Sequence, residues 1–546
     1  MASLQHLLLT IALSNVVSSS PQYTFVNPDP SGTLYTRPSD FNPVAVPNVS
    51  TAGEAVLASF VSYSIEFAFF PDFAGNKSAP NDFSDNLLEN LKGFQGSKPD
   101  IRVGGNTQDY ALFNESLKTA TYGVYTNVSS DYPRILTIGP SYFESYETWP
   151  DVKFTHGFNL AKNDTTAAAS INNSVPYACK ALSSGNFWYW EMGNEPDLFK
   201  TSAQGIMRPS SWNESDYVAE WEQKVGWVRG VLGSSCGEEW TSEERFKWMA
   251  PSFAGTNNSL KTLKTWDVGL KNDEGIIGRF SSHNYIGGAT QPGVTLRGTL
   301  MNHTKTVSSI AAHNAEQAAL TAAGMSLDYI LGETNSLYNQ GAPGLSNSFG
   351  AALWGIDFNL MCAATNIKQV FMHQGTDYRY ASWQPVDTNK TSKGTKAPYY
   401  GNVAVAAALG DITTSSVRVA NIPLANETSA AYAIYANSTL ARLMLINMNQ
   451  YNYSVPSPSA RSSTAYNFTL PSSCAGTGVV QRLMANGSDA ITGITFNGLS
   501  YNYEVDNGRP KLLGNATKDE TVFVGGDGGV SVSVPDSSAT LVQLRC

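Results

Sequence analysis

The chain has 546 residues, 42% of them hydrophobic and 15% charged, enough apolar material for a large core and too little charge for a disordered tail or coiled coil. Forty-five acidic against 35 basic residues give a formal charge of −10, which repels phosphate backbones and anionic lipid surfaces and argues against a nucleic-acid partner. The length fits two domains, with three as the alternative, because a single barrel domain takes about 250 residues or more.

At the N-terminus, the apolar residues 7–17 run into Ser18-Ser19-Ser20. This reads as a secretory signal peptide over residues 1–20, followed by an extended, Pro-rich segment over 21–57, so the protein is expected to be secreted. No later apolar run reaches about 18 residues, and no membrane span is expected. Sixteen Asn-X-Ser/Thr triplets, among them Asn48, Asn76 and Asn114, are about twice the roughly eight that chance supplies and favour a glycoprotein. The five cysteines contain no Cys-X-X-Cys pair, which disfavours a zinc site. An odd count leaves at least one unpaired. Cys474 and Cys546, both in the C-terminal region, are the first expected bridge and Cys179 with Cys236 the second, while Cys362 sits in an apolar stretch and reads as a buried small hydrophobe.

Over residues 58–410 short apolar runs alternate with helical patterns, the mark of βα units and a parallel sheet. Residues 61–70 read as a strand and 84–94 as a helix with Leu87, Leu88, Leu91 and Phe94 on one face. Further strands are expected at 101–105, 187–192, 246–250, 276–282, 327–331 and 370–373. Between them Tyr217, Trp221, Val225, Val228 and Leu232 recur at helical spacing, as does the Ala-rich stretch 306–323. About eight strands over this length suit an α/β fold, a (β/α)8 TIM barrel with insertions. Residues 411–546 change to short alternating strands with Gly, Asn, Ser and Pro turns, including an Asn437-Ser438 hairpin turn and the alternating Val530-Ser531-Val532-Ser533-Val534. That region is expected to form a C-terminal all-β sandwich domain.

Two runs carry chemistry. In Trp190-Glu191-Met192-Gly193-Asn194-Glu195-Pro196 an apolar strand stops at a Gly and is followed by a carboxylate at the rim where a barrel displays reactive groups. The proline should push Glu195 into an extended conformation over the barrel mouth. In Leu327-Asp328-Tyr329-Ile330-Leu331-Gly332-Glu333 the logic repeats, with room for three further βα units between the two carboxylates. Two strand-end carboxylates on one rim are what glycoside hydrolysis requires, and the chemistry needs no metal or organic cofactor.

With these landmarks the chain resembles glycoside hydrolase family 79, the β-glucuronidases related to heparanase, over nearly its whole mature length. The resemblance rests on Ser64-Ile65-Glu66-Phe67-Ala68, Arg102-Val103-Gly104-Gly105-Asn106, Asn194-Glu195-Pro196, His283-Asn284-Tyr285, Gly332-Glu333-Thr334-Asn335 and, in the β domain, Asp506-Asn507-Gly508-Arg509-Pro510. It implies Glu195 as general acid/base and Glu333 as nucleophile of a retaining mechanism. Tyr285 would hydrogen-bond Glu333, Asn194 would hold the sugar 2-hydroxyl, and Asn106 and His283 would line the substrate. The uronic acid's carboxylate would be held by Tyr338 and by Gly375 with Tyr378, Tyr380 being the alternative to Tyr378. Tyr380 and Trp383 also read as sugar-stacking walls or as core packing.

The expected partner is a carbohydrate bearing terminal β-linked glucuronic acid, with or without a 4-O-methyl group, cleaved by an exo-acting enzyme. A heparanase-like endo-enzyme would grip a polyanion with clustered Lys and Arg, and the sequence has no basic run. An exo-glycosidase for glucosides or xylosides is the second alternative, and an inactive carbohydrate-binding glycoprotein the reading from a different class.

Overall fold

A computed structural model describes residues 41–546 except 203, 204 and 515; the signal-peptide expectation for residues 1–20 lies outside these residues. Eight parallel strands close into a barrel: β1 (Val61–Glu66), β2 (Ile101–Gly104), β3 (Phe154–Phe158), β4 (Phe187–Met192), β5 (Trp248–Phe253), β6 (Ile277–Gly288), β7 (Tyr329–Tyr338) and β8 (Val370–Gln374), which pairs back onto β1. The first expected strand is shorter than its apolar run. It stops at Glu66, and residues 67–70 turn into short helical segments with their three Phe side chains buried.

Seven α-helices of six or more residues pack around this barrel among the described residues: α1 (Asp82–Gln95), α2 (Thr165–Ala181), α3 (Glu214–Ser235), α4 (Thr262–Asp267), α5 (His303–Ala322), α6 (Phe349–Ala364) and α7 (Ala397–Leu409). α1 shows how the sequence fixes such a helix. Asn81 caps its first turn by accepting from the Ser84 N–H at 3.3 Å, Gly96 ends it at φ 89°, and Phe83, Leu87, Leu88 and Leu91 are buried. β2 and β3 are joined differently, by a three-stranded sheet (Ala111–Phe113, Thr121–Val124, Ile135–Ile138) and a 3-10 segment, Pro140–Glu147.

The longer C-terminal strands are β9 (Val417–Asn421), β10 (Ser429–Ala436), β11 (Thr439–Asn447), β12 (Ser463–Thr469), β13 (Gly476–Met484), β14 (Glu520–Val524), β15 (Gly529–Pro535) and β16 (Ser538–Gln543), with three two-residue strands, Thr495–Phe496, Leu499–Ser500 and Lys511–Leu512, beside them. A nine-stranded sheet built on β9-β10-β11-β16-β13 faces a three-stranded sheet of β12, β15 and the N-terminal pair Val44–Ala45, which runs parallel to β12. Leu443, Leu445, Val480 and Val542 of the first sheet share a core with Phe468, Val530, Val532 and Val534 of the second. Part of the extended N-terminal segment thus belongs to the β region. Asn437 and Ser438 take φ 49° and 69°, the left-handed pair that a two-residue hairpin turn requires.

Barrel and β region share one continuous core, because α6 and α7 are buried on all sides. Tyr432 of β10 donates to the buried Asp357 of α6 at 2.7 Å. Disulfides join Cys179 to Cys236, tying α2 to the end of α3, and Cys474 to Cys546; Cys362 is free and buried in α6. Among the described residues no helix is long and apolar enough to cross a membrane.

Candidate active site

β6 and β7, at twelve and ten residues, run well past the other strands and rise together over the barrel mouth, in a register that sets His283 opposite Glu333 and Tyr285 opposite Asn335. Glu333 is therefore inside β7 rather than at the strand end expected from its apolar run. Across the mouth, β4 stops at Met192 and Glu195 stands at the turn that follows. One oxygen of each carboxylate and a ring nitrogen of His283 lie within 4.8 Å of one another.

Glu195 is not extended. Its φ and ψ are 50° and 49°, the left-handed region that a non-glycine residue enters only when its surroundings hold it there. Two backbone bonds do so: the Glu195 N–H donates to Ser252 O at the end of β5 (3.0 Å), and the Asn194 N–H donates to Asp109 Oδ2 (2.8 Å). Pro196 keeps the α region closed to Glu195, and these anchors choose the left-handed alternative over the extended one.

Opposite surroundings act on the two carboxylates. Burial first, and then the neighbouring charge of Glu333, pushes the Glu195 carboxyl above the ordinary range. Among the described residues its one short side-chain contact is His283 Nδ1 at 3.0 Å, and burial holds that imidazole down to about 4, so it is neutral near pH 7. Burial alone would raise Glu333 as well. The charges of His373 and Arg102 and the Tyr285 hydrogen bond outweigh it and hold the carboxyl low. Tyr285 donates to Glu333 Oε1 at 2.7 Å and Arg102 to Oε2 at 2.6 Å. Both oxygens of Glu333 are thus occupied by donors, an arrangement for a fixed anion with a fixed orientation. A protonated acid and an ionised nucleophile are the two states the chemistry of a glycosidic bond asks for.

Residues 431–541 match the glycosyl hydrolase family 79 C-terminal beta domain. A beta-glucuronidase of Aspergillus niger is 57% identical over 502 residues, covering 90% of this chain and 91% of that one. The chain belongs to glycosyl hydrolase family 79. A beta-glucuronidase of Neurospora crassa is 49% identical over 93% of this chain and 98% of its own. Among solved structures, a 4-O-alpha-L-rhamnosyl-beta-D-glucuronidase from Fusarium oxysporum superposes with a TM-score of 0.72 at 26% identity, over 92% of this chain and all of that one. A family 51 alpha-L-arabinofuranosidase from Bifidobacterium longum, 11% identical, shares the fold at a TM-score of 0.58 over 92% of this chain and 99% of its own. The protein is a glycoside hydrolase.

Within this family 79 site the sequence-expected residues take different places. Asn194 is buried, accepts from Arg102 at 2.8 Å and donates to Asn106 Oδ1 at 3.1 Å; Asn106 in turn donates to the Tyr132 hydroxyl at 3.4 Å. Tyr378 donates to Glu66 Oε2 at 3.0 Å, and the Tyr380 ring lies 6.1 Å from that of Tyr285. Both tyrosines are buried. Gly375 leaves the room that Tyr378 needs, since a Cβ there would sit 2.8 to 3.0 Å from the Tyr378 and Phe69 rings. Tyr338 stands apart, 46% exposed at the tip of β7 with its ring laid over Gly288. Trp383 is core: it is fully buried, stacks edge-on with Tyr63 and donates to Ser84 Oγ at 2.9 Å.

Three residues of the site were given no role by the reading of the sequence. Arg102, fully buried on β2, bonds Glu191 (2.8 Å), Ser64 (3.0 Å), Glu333 and Asn194. Glu66, at the end of β1, accepts from Thr107 and Tyr378 and faces His373 Nε2 at 3.4 Å. His373 lies 3.6 Å from Glu333; burial lowers its affinity for a proton, but Glu333 and Glu66 win and raise it. A charged residue inside an apolar strand was the available signal for Arg102 and Glu66, because such a group is buried only with partners.

Proposed function

We propose that the protein is a retaining, exo-acting β-glucuronidase that removes terminal β-linked glucuronic acid from glycans or glycoconjugates. Protonated Glu195 gives its proton to the glycosidic oxygen as that bond breaks, while Glu333 attacks the anomeric carbon and forms a glycosyl ester. Glu195, now an anion, takes a proton from water as the water's oxygen attacks the same carbon and Glu333 leaves with its charge restored. The observation that carries this reading is the asymmetry of the pair: two oxygens within 4.8 Å, one carboxyl raised and beside a neutral imidazole, the other held low by a guanidinium and a phenol. A separation this short suits direct attack by the second carboxylate better than a water between the two, which needs roughly 6.5 Å or more.

Substrate class rests on the relatives named β-glucuronidase and on the tyrosine set. The buried cations of the site are already engaged, Arg102 by Glu191, Glu333 and Asn194 and His373 by Glu66 and Glu333, so a sugar carboxylate would be met by hydroxyls and backbone N–H groups. The Fusarium oxysporum likeness adds 4-O-substituted glucuronides, beside the 4-O-methyl form, as substrates to try. Export and N-glycosylation fit the two disulfides and the sixteen triplets.

The test compares initial rates on para-nitrophenyl β-D-glucuronide, β-D-glucoside and β-D-xyloside, with Glu195→Gln and Glu333→Gln as controls and proton NMR of the first-formed anomer. Glucuronide preference, lost in both variants, with β-glucuronic acid released first is the expected result. Release of the α anomer would overturn the retaining mechanism. Equal rates on the three glycosides would overturn the substrate class, and activity on an internally linked polymer alone would replace exo with endo action.

A further inference from the structure

A second charged cluster sits on the barrel mouth, outside the catalytic pair, and joins three loops through one side chain. Arg379, in the segment after β8, makes a two-pronged ion pair with Asp131 of the β2–β3 insertion, at 2.9 and 3.0 Å. The same guanidinium donates to Gly341 O (3.0 Å) and Asn339 O (3.1 Å) in the loop after β7, and the Arg379 N–H donates to Gln340 O at 2.8 Å. Both side chains are largely covered, at 24% and 20% exposure, so the pair is screened less than an ordinary surface bridge. Lys390 donates to Ser130 O at 2.8 Å and reinforces the insertion's end of the contact.

In the loop that Arg379 holds, the Gly341 N–H donates back to Leu337 O at 3.0 Å, while the carbonyls of residues 339 to 341 turn to the arginine. Asn339, Gln340 and Gly341 have φ of 62°, 60° and 78°, three left-handed residues in succession, of which Gln340 has neither a glycine's freedom nor an asparagine's local bonding. Consecutive strain of this kind persists where surrounding contacts overdetermine the backbone, and all three carbonyls point to one arginine.

Chain adjacency then connects the cluster to substrate. Tyr338 immediately precedes the strained loop, Tyr378 and Tyr380 flank Arg379, and Tyr132, which receives the Asn106 amide, follows Asp131. We propose that Arg379 and Asp131 are positioning residues for glucuronide specificity: they form a clamp that fixes, from one ion pair, the tyrosines that would hold the uronic acid. The inference rests on the exo-glucuronidase reading above. It assigns the clamp no contact with the reacting atoms, so its loss acts on binding and selectivity before it acts on turnover.

Asp131→Asn and Arg379→Lys test it, with Asp131→Glu as the conservative partner, each checked by thermal unfolding. Asp131→Asn removes the charge of the pair; Arg379→Lys keeps a charge but cannot serve Asp131 and two carbonyls together. For both, KM on para-nitrophenyl β-D-glucuronide should rise about ten-fold and the glucuronide-to-glucoside ratio of kcat/KM should fall about ten-fold, with kcat within about threefold, as expected for misplaced binding groups. Asp131→Glu should recover most of both. KM and selectivity within twofold of the parent in folded Asp131→Asn and Arg379→Lys would overturn the clamp, as would equal losses of kcat on both glycosides, which mark a general structural role. If Asp131→Asn does not fold, Arg379→Lys decides by the same criteria. A parent enzyme with no preference for glucuronide would instead overturn the underlying reading.

Discussion

Replacing Tyr285 by Phe removes one oxygen and one bond, the 2.7 Å donation to Glu333 Oε1, from a carboxylate whose other oxygen keeps Arg102. A buried hydrogen bond to a charged acceptor contributes about 1.5–3 kcal/mol, which corresponds to roughly 10- to 150-fold in a rate or equilibrium. The sign on pH follows from which state the bond stabilises. Tyr285 is among the groups that hold Glu333 low, so its loss raises that carboxyl, and the acidic limb of the pH–rate profile moves up by about one to two pH units. Turnover should suffer most in the second step, where Glu333 regains its charge as it leaves the sugar. With para-nitrophenyl β-D-glucuronide, whose leaving group makes the first step easy, the variant should show a burst of nitrophenolate followed by a steady rate lower by the factor above. An acidic limb that stays in place, with kcat within threefold of the parent and no burst, would refute the assignment of Glu333 as a nucleophile held ionised by Tyr285.

Other consequences can be checked independently. Arg102→Met strips the buried Glu191 and Glu333 of their shared cation and should lower stability by about 3–5 kcal/mol in urea unfolding at neutral pH. Because Glu333 is depressed in the folded parent, its contribution is full above the ordinary carboxylate range and fades as pH falls toward the lowered value, so the deficit of Arg102→Met should shrink in acid; a deficit constant down to about pH 3 would contradict this. Five cysteines less the four in bridges leave Cys362, buried in α6. Thiol titration without reductant should find none accessible in the native protein and one after denaturation, and three or more after denaturation would break the bridge assignment.

What was legible in the sequence is what local rules govern. An apolar run closed by Gly and then a carboxylate marks β4 with Glu195 and β7 with Glu333, and the helical spacing of Tyr217, Trp221, Val225, Val228 and Leu232 marks α3. β3 was missed because Phe154-Thr155-His156-Gly157-Phe158 carries a His and a Gly where a buried strand usually carries aliphatics. Tertiary partners reverse that reading: His156 is buried against the Tyr146 hydroxyl at 2.6 Å, and Gly157 lies where the Gln108 amide packs. Arg102 was legible only as a motif letter, since its carboxylate partners stand 89 and 231 residues along the chain. The left-handed Glu195 likewise depends on Ser252 and on Asp109, which the proline rule does not see.

The proposed division of labour between the carboxylates also comes from neighbours rather than from the residues themselves. Both are glutamates, both follow a glycine or lie one residue beyond it, and burial works in the same direction on each. They part because β2 delivers a guanidinium to one and β6 delivers a phenol to that same one, while the other receives only an imidazole that burial keeps neutral. β6 can serve both because His283 and Tyr285, two residues apart, share a face of the strand, and its extension past the barrel wall carries that face up to the level of the pair. A neutral His283 suits the acid in both of its states. It can accept from protonated Glu195 or, as the other tautomer, donate to the anion left after the proton has gone, so the contact survives the catalytic cycle without bringing in a charge. An arginine in its place would hold Glu195 ionised and leave the glycosidic oxygen without a proton donor.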